Sequence, residues 1–332
     1  LNGIWRIPNG LRTYRAVLIA SGPQSSKPER GGTMKILLFG KNGQVGWELQ
    51  RALAPLGEVV ALDRQGKGRF SGDLLRLDLL VATIRAVRPD VIVNAAAHTA
   101  VDDAEGEAEL SRQINVRAPA VMAREAAALG ALLVHYSTDY VFDGSGDRPW
   151  REDDPTGPLS IYGLTKLEGE QEIHAAACRH LIIRTSWVYA VRGENFVRTI
   201  LRLAREREHL KIITDQIGAP TGAELIADST AHSIRALQER PELSGVYHLA
   251  AAGETSWHGY ASFVIENARA RGEPLTVAPG RIEPIAAAAA PARASRPLNS
   301  RLDTGRFRRT FGLVMPDWRF GVARMLDEIL SG

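Results

Sequence analysis

Two residues four positions apart, Tyr162 and Lys166, have the chemistry to move a proton. On a helix, positions i and i+4 share a face, which sets the lysine ammonium beside the phenol. A phenol that titrates near 10 exchanges protons poorly at neutral pH. A neighbouring ammonium stabilises the phenolate, and a depression of about three units, about 4 kcal/mol, would bring the tyrosine into the range of general acid–base work. The run Tyr136-Ser137-Thr138-Asp139-Tyr140-Val141-Phe142-Asp143 adds a hydroxyl, Thr138, suited to bind a substrate oxygen beside Tyr162. Asn94-Ala95-Ala96-Ala97-His98-Thr99 offers small side chains that leave room for a cofactor. His98 and His135 read as packing or orienting residues rather than acid–base groups.

A second constellation concerns phosphate. Gly40-Lys41-Asn42-Gly43-Gln44-Val45-Gly46 follows an apolar run and opens a helical one. In that context glycines let the backbone approach a pyrophosphate, and the helix N-terminus presents unpaired N–H groups to it. Asp63 ends the next apolar run, 20 residues after Gly43, where a carboxylate can bind the adenosine ribose hydroxyls. Asp63 favours NAD, whereas Arg64 beside it would accommodate a 2′-phosphate, so the residues leave NADPH and NADH both open.

These side chains need a frame. Short runs rich in Val, Ile and Leu at 35–39, 58–62, 91–95, 132–136 and 181–186 alternate with helical stretches such as Gln44–Ala54, Glu105–Leu129 and Leu164–Ala177. Apolar strands without polar alternation, spaced by helices, indicate a doubly wound α/β fold with a parallel sheet of about seven strands. The expected division is a dinucleotide-binding domain at 34–187 and a smaller, mainly substrate-binding domain at 188–332. Helical patterns in the latter lie at 193–207, 224–239 and 257–271. Five alanines at 286–290 lie among Pro284, Pro291 and Pro297, too tightly bracketed for more than a turn or two of helix. A loop is expected there.

Composition narrows the function classes. Hydrophobic residues at 45% and charged residues at 24% suit a globular chain. No apolar run nears the roughly 20 residues of a membrane-spanning helix. The lone Cys178 cannot form an internal disulfide, so a reducing, cytoplasmic setting is expected. Residues 1–33 carry five of the 41 basic side chains and one of the 38 acidic ones, leaving 36 against 37 in the rest. A near-neutral body lacks the positive footprint of nucleic-acid binding. Residues 1–33 are expected to be a disordered extension upstream of Met34. The acidic group Asp102, Asp103, Glu105, Glu107 and Glu109 suits a helix start.

Taken together, Gly-x-x-Gly-x-x-Gly, Asn-Ala-Ala-Ala, Ser-Thr-Asp-Tyr-Val-Phe and Tyr-x-x-x-Lys resemble the extended short-chain dehydrogenase/reductase superfamily. Within it, the stretch from Met34 to about Leu330 is similar to the dTDP-4-dehydrorhamnose reductase family. The matches are Gly43-Gln44-Val45-Gly46-Trp47-Glu48-Leu49, Ala95–Asp102, Arg184–Tyr189, Gly218–Gly222 and Ser295–Asp303. The resemblance implies a Rossmann-type fold and a Thr138–Tyr162–Lys166 triad. Tyr162 would protonate the C4 oxygen as hydride arrives, Thr138 would orient that oxygen, and Lys166 would hold the nicotinamide ribose. Gly43, Gln44, Val45, Asp63, Asp73, Leu74, Ala97, His98, Thr99 and Tyr136 would line the dinucleotide. Thr138, Asp139 and Trp187 would touch the sugar nucleotide, and Arg296 its diphosphate. The resemblance also implies a homodimer and Mg²⁺ on Glu48, Glu224 and Glu328. The reaction would be reduction of dTDP-4-dehydro-β-L-rhamnose to dTDP-L-rhamnose, destined for a cell-surface polysaccharide such as O-antigen. Alternatives are a reductase of another nucleotide-linked 4-keto-6-deoxyhexose, an epimerase or dehydratase, and a dinucleotide-binding regulatory subunit. The intact triad argues against the last.

Overall fold

The computed structural model describes residues 33–290 and 292–331. The expected extension therefore lies outside the described residues except for Thr33. Six strands form the central sheet: β1 (Met34–Phe39), β2 (Gly57–Leu62), β3 (Val91–Asn94), β4 (Leu132–Thr138), β5 (Arg179–Thr185) and β6 (Gly245–His248). All pairs are parallel, in the order β6-β5-β4-β3-β1-β2. The sheet is thus one strand narrower than the seven expected. Its order reverses at β1, and in such sheets ligands bind outside the carboxyl ends of the strands at the reversal.

The longer helices among the described residues surround the sheet and build the smaller lobe. They are α1 (Gln44–Leu53), α2 (Leu77–Val87), α3 (Ala118–Leu129), α4 (Ile161–Ala175), α5 (Phe196–Glu206), α6 (Ala223–Glu239), α7 (Trp257–Ala270), α8 (Gly305–Phe311) and α9 (Trp318–Leu330). Successive strand residues point to opposite faces. Ile36 and Leu38 therefore pack with Leu49 and Leu53 of α1 and Ile226 and Ile234 of α6, while Leu37 and Phe39 pack with Leu80 and Ile84 of α2 and Met122 of α3. Both faces are covered, which explains the uninterrupted apolar strands. The strand β6 and the helix α6 come from beyond residue 187 yet belong to these layers. A third core, built on Val197, Ile200, Tyr260, Val264, Trp318 and Val322, joins α5, α7 and α9 in the smaller lobe. No helix among the described residues is long and apolar enough to cross a membrane.

The long helix expected over Glu105–Leu129 is broken. Short helices at Val101–Ala104 and Ala108–Arg112 run into a wide, five-residue-bonded turn at Gln113–Arg117, and only then does α3 begin. Pro119 is the cause: it has no N–H to give the carbonyl of Asn115, four residues earlier. The freed carbonyl lies against α4 at Gly169, where a β-carbon would sit 2.2 Å from it. The acidic group is divided accordingly. Asp102 and Asp103 occupy one first turn and Glu109 another, but Glu105 instead accepts from the Ile161 N–H at the start of α4, at 2.9 Å. The alanine segment holds one turn, Ala287–Ala289, after a strand Ile282–Ile285 paired with Leu210–Ile213.

Candidate active site

Beyond the carboxyl ends of β1, β3, β4 and β5 lies a cleft of about 690 Å³. The end of β4 delivers Thr138 into it. Its hydroxyl accepts from the Tyr140 N–H at 3.2 Å and donates to the Asp139 carboxylate at 3.1 Å. Helix α4 delivers Tyr162 and Lys166, and its start is held twice, by the Ser160 side chain on the Gly163 N–H and by Glu105. The Tyr162 hydroxyl lies near that of Thr138, and its ring meets Tyr140 edge-on at 5.5 Å. Thr138, Tyr162 and Lys166 all line the cleft.

One expectation is corrected. Burial pushes the Tyr162 phenol up to about 12, with the Asp139 charge adding to it and the Thr138 hydroxyl opposing. The lysine does not depress it here, because Lys166 Nζ is turned toward the Tyr136 carbonyl at 2.6 Å and His135 Nε2 at 3.1 Å. Burial draws Lys166 itself down to about 8, against the pull of the Glu170 charge. The tyrosine is thus held as a phenol, the form that can donate a proton.

The dinucleotide residues fall into two adjoining spaces. Gly40, Gly43, Gln44, Val45, Ala97, Thr99 and Tyr136 line the main cleft; Asp63, Asp73, Leu74 and His98 line a second of about 500 Å³ that shares Gly40, Gly43, Ala96 and Ala97. Gly40 has φ +86°, and a β-carbon there would lie 2.7 Å from the Ala95 carbonyl carbon. Glycine is required on both counts. Gly43 caps α1 without any side chain on its first amides. Those amides are free for a pyrophosphate. Gly46 does not line either space; it is buried in the first turn of α1. Among the described residues, the buried hydroxyls of Ser137, Thr185 and Ser186 line the cleft without partners. An elongated space with a glycine cradle, free helix-terminal amides and unpaired hydroxyls fits a nicotinamide dinucleotide.

At the adenosine end, Asp63 is engaged by Lys41 at 3.1 Å, Asn42 at 2.9 Å and the N–H groups of Gln65 and Gly66. Burial would raise its carboxyl, but these partners outweigh it and hold the group low. Arg64 is exposed and comes no closer than 3.9 Å to Asp73.

On the sugar side, Asp139 is buried, and burial raises its carboxyl to about 6 although Ser300 and Thr138 approach it. Trp187 has φ +47°, strained for a bulky residue. Its ring stacks on Trp257 at 3.7 Å, and both line the cleft. Arg296 does not line the cleft; its guanidinium pairs with Asp102 at 2.7 Å.

The metal expectation is not met by the side chains. Glu48 pairs with Arg51 and Glu328 with Arg324, and burial together with the Arg324, Glu48 and Glu328 charges acts on Glu224, whose carboxyl is raised. Among the described residues, no group of three His, Cys, Asp or Glu could hold a metal ion. These three glutamates lie on α1, α6 and α9, apart from the cleft, and no chemistry is routed through a metal.

Several site residues were not singled out by the sequence. Asn115 accepts from the His98 N–H at 2.9 Å and donates to the His98 carbonyl and the Thr165 hydroxyl, both at 3.1 Å, so it ties the dinucleotide loop to α4. Trp257 belongs to no motif; its only signals are its aromatic type and the cap-like Ser256 before it. His135 and His98 do orient neighbours: His98 Nδ1 lies 2.7 Å from the Ser111 hydroxyl.

Comparison with known proteins accords with this geometry. The family profile described as the RmlD substrate binding domain matches residues 34–331. A dTDP-4-dehydrorhamnose reductase of Escherichia coli K12 is 53% identical over 298 residues, covering 90% of this chain and 99% of that protein. Among solved structures, a dTDP-4-dehydrorhamnose reductase of Clostridium acetobutylicum aligns with TM-score 0.80 at 32% identity, over 90% of this chain and 100% of the other. The Bacillus anthracis enzyme, solved in complex with NADP, gives 0.79 at 31% identity, over 89% and 99%. The chain belongs to the RmlD substrate binding domain family.

Proposed function

We propose that the chain reduces the C4 keto group of dTDP-4-dehydro-β-L-rhamnose to the hydroxyl of dTDP-L-rhamnose, with NADPH as reductant. The observation that carries this reading is that Thr138, Tyr162 and Lys166 line one cleft continuous with a dinucleotide groove. The close likeness to curated dTDP-4-dehydrorhamnose reductases supports the substrate.

The bound dinucleotide supplies a hydride to the carbonyl carbon. The protein supplies the proton and the geometry. Tyr162, held as a phenol, donates its proton to the carbonyl oxygen, and Thr138 aligns that oxygen by a hydrogen bond. Lys166 compensates the phenolate that this transfer creates and binds the nicotinamide ribose. Asp139 fixes the Thr138 rotamer through the 3.1 Å bond. Trp187 and Trp257 give the sugar nucleotide a flat apolar wall. Lys41 neutralises Asp63, and Arg64 beside it is exposed with only a long 3.9 Å contact to Asp73, which favours a 2′-phosphate over a bare ribose.

The test is oxidation of NADPH by the purified protein, with dTDP-4-dehydro-6-deoxyglucose and a 3,5-epimerase. Epimerase-dependent consumption that yields dTDP-L-rhamnose is expected. Consumption without the epimerase would replace the substrate by another 4-keto-6-deoxyhexose. Tight NADPH binding with no consumption would overturn the reaction.

A further inference from the structure

From Lys166 a buried chain of polar groups runs back behind the cleft through His135 to Asn94. Lys166 Nζ lies 2.6 Å from the Tyr136 carbonyl and 3.1 Å from His135 Nε2; His135 Nδ1 lies 3.1 Å from Asn94 Nδ2; and Asn94 Oδ1 accepts from the Ala96 N–H at 3.2 Å. Asn94, His135 and Lys166 are each no more than 2% exposed.

The direction of this chain follows from donor and acceptor types. The Ala96 N–H can only donate, so Asn94 turns its oxygen to it and its NH₂ group to His135 Nδ1. Nδ1 must then accept, and a neutral imidazole carries its proton on Nε2, facing Lys166. Burial holds His135 far below its usual range, so it is neutral. An ammonium at Lys166 has donors only and would meet the Nε2 proton head-on. Rotating the Asn94 amide relieves that conflict only by setting NH₂ against the Ala96 N–H. A neutral amine satisfies every group, since it donates to the Tyr136 carbonyl and accepts from Nε2.

The charges around Lys166 do not reverse this. Glu170, one turn along α4, attracts a proton to Lys166, but its carboxylate is bound by Arg184 at 2.6 and 3.0 Å. Tyr162, one turn back, is a neutral phenol, and Asp139 lies beyond Tyr162 and Thr138.

We propose that Asn94 and His135 are positioning residues that favour the uncharged amine of Lys166 in the dinucleotide-free protein, and that dinucleotide binding shifts Lys166 toward the ammonium, with net proton uptake at alkaline pH. The anionic diphosphate and the ribose hydroxyls draw Nζ away from His135 and favour its charged form. The proposal rests on the cofactor assignment above, but not on the sugar substrate.

Two measurements test it. The first is the titration of Lys166 in the dinucleotide-free protein by carbon-13 NMR of labelled lysine, assigned with Lys166→Met. A midpoint near 8 is expected. In Asn94→Asp the new carboxylate accepts from both Ala96 N–H and His135 Nδ1, the imidazole proton moves to Nδ1, and Nε2 accepts from an ammonium. The midpoint should rise by at least about one unit. A wild-type midpoint above 10, or equal midpoints in the two proteins, overturns the proposal. If Asn94→Asp does not fold, His135→Gln serves in its place, because its amide oxygen can accept from the ammonium.

The second is calorimetry of NADPH binding in buffers of different ionisation enthalpy. Wild type should take up about 0.8 proton at pH 9 and about 0.1 at pH 7, and the variant little at either. Binding at pH 9 without uptake overturns the proposal. Failure of NADPH to bind refutes the cofactor assignment instead, and the NMR titration still decides the state of Lys166.

Discussion

Replacing Tyr162 by Phe isolates one atom of the site. The phenyl ring can keep its edge contact with Tyr140, 5.5 Å between centroids. Only the hydroxyl beside Thr138 is lost. Thr138 still accepts from the Tyr140 N–H and donates to Asp139, so no buried partner is left unsatisfied. The cost in folding stability should therefore be about 1 kcal/mol or less. The rate should suffer far more. A positioned general acid contributes roughly 10²–10⁴-fold, and its loss raises the barrier by about 3–5 kcal/mol. NADPH oxidation with saturating sugar nucleotide gives kcat, and fluorescence titration gives NADPH affinity, which should stay within about threefold. Turnover within a factor of three of the parent would refute Tyr162 as the proton donor. So would a loss of rate matched by an equal loss of NADPH binding.

Three further outcomes follow from the geometry. The Asp139 carboxyl is raised from its unfolded value near 3.8 to about 6, so the folded state holds its proton more tightly; this contributes stability at low pH that is lost as pH climbs through 4 to 6. Asp139→Asn should therefore gain in unfolding free energy relative to the parent as pH goes from 4 to 7.5, by on the order of 3 kcal/mol, with a matching rise in melting temperature, while kcat falls; a gain that does not depend on pH would contradict the assignment. Arg64→Ala should raise KM for NADPH about tenfold and leave KM for NADH nearly unchanged, as steady-state kinetics with both cofactors would show. Prolonged treatment with a chelator should leave turnover and melting temperature unaltered, since Glu48, Glu224 and Glu328 supply no ligand set within the chain.

The parts of the site that could be read in advance are those encoded in short spacings. Gly40 and Gly43 follow β1 by one and four residues, Asp63 follows β2 directly, and Tyr162 and Lys166 are one helical turn apart. Each motif is local, so backbone periodicity alone brings its side chains together. The remainder depends on contacts between distant segments. Glu105 stands 56 residues before the helix end that it caps, and Asn115 is 50 residues from Thr165. The strand β6 is four residues long, with Gly245 at its start and His248 at its end, and its extended form owes more to pairing with β5 than to its own propensity. The direction of Lys166 was equally hidden, because the carbonyl and imidazole that claim it belong to β4.

The wide turn at Gln113–Arg117 bears on how the chain can change in length. Such turns hold one residue more than a regular helix would need. Deleting any residue between Ala108 and Ala118 would pull the segment toward a regular helical register, against the missing N–H of Pro119. It would also rotate everything on one side of the deletion by about 100°. Asn115 would then no longer clasp both His98 and Thr165. Substitutions can drift across this surface, but its residue count is pinned by one amide that spends three hydrogen bonds on two separate pieces of the site.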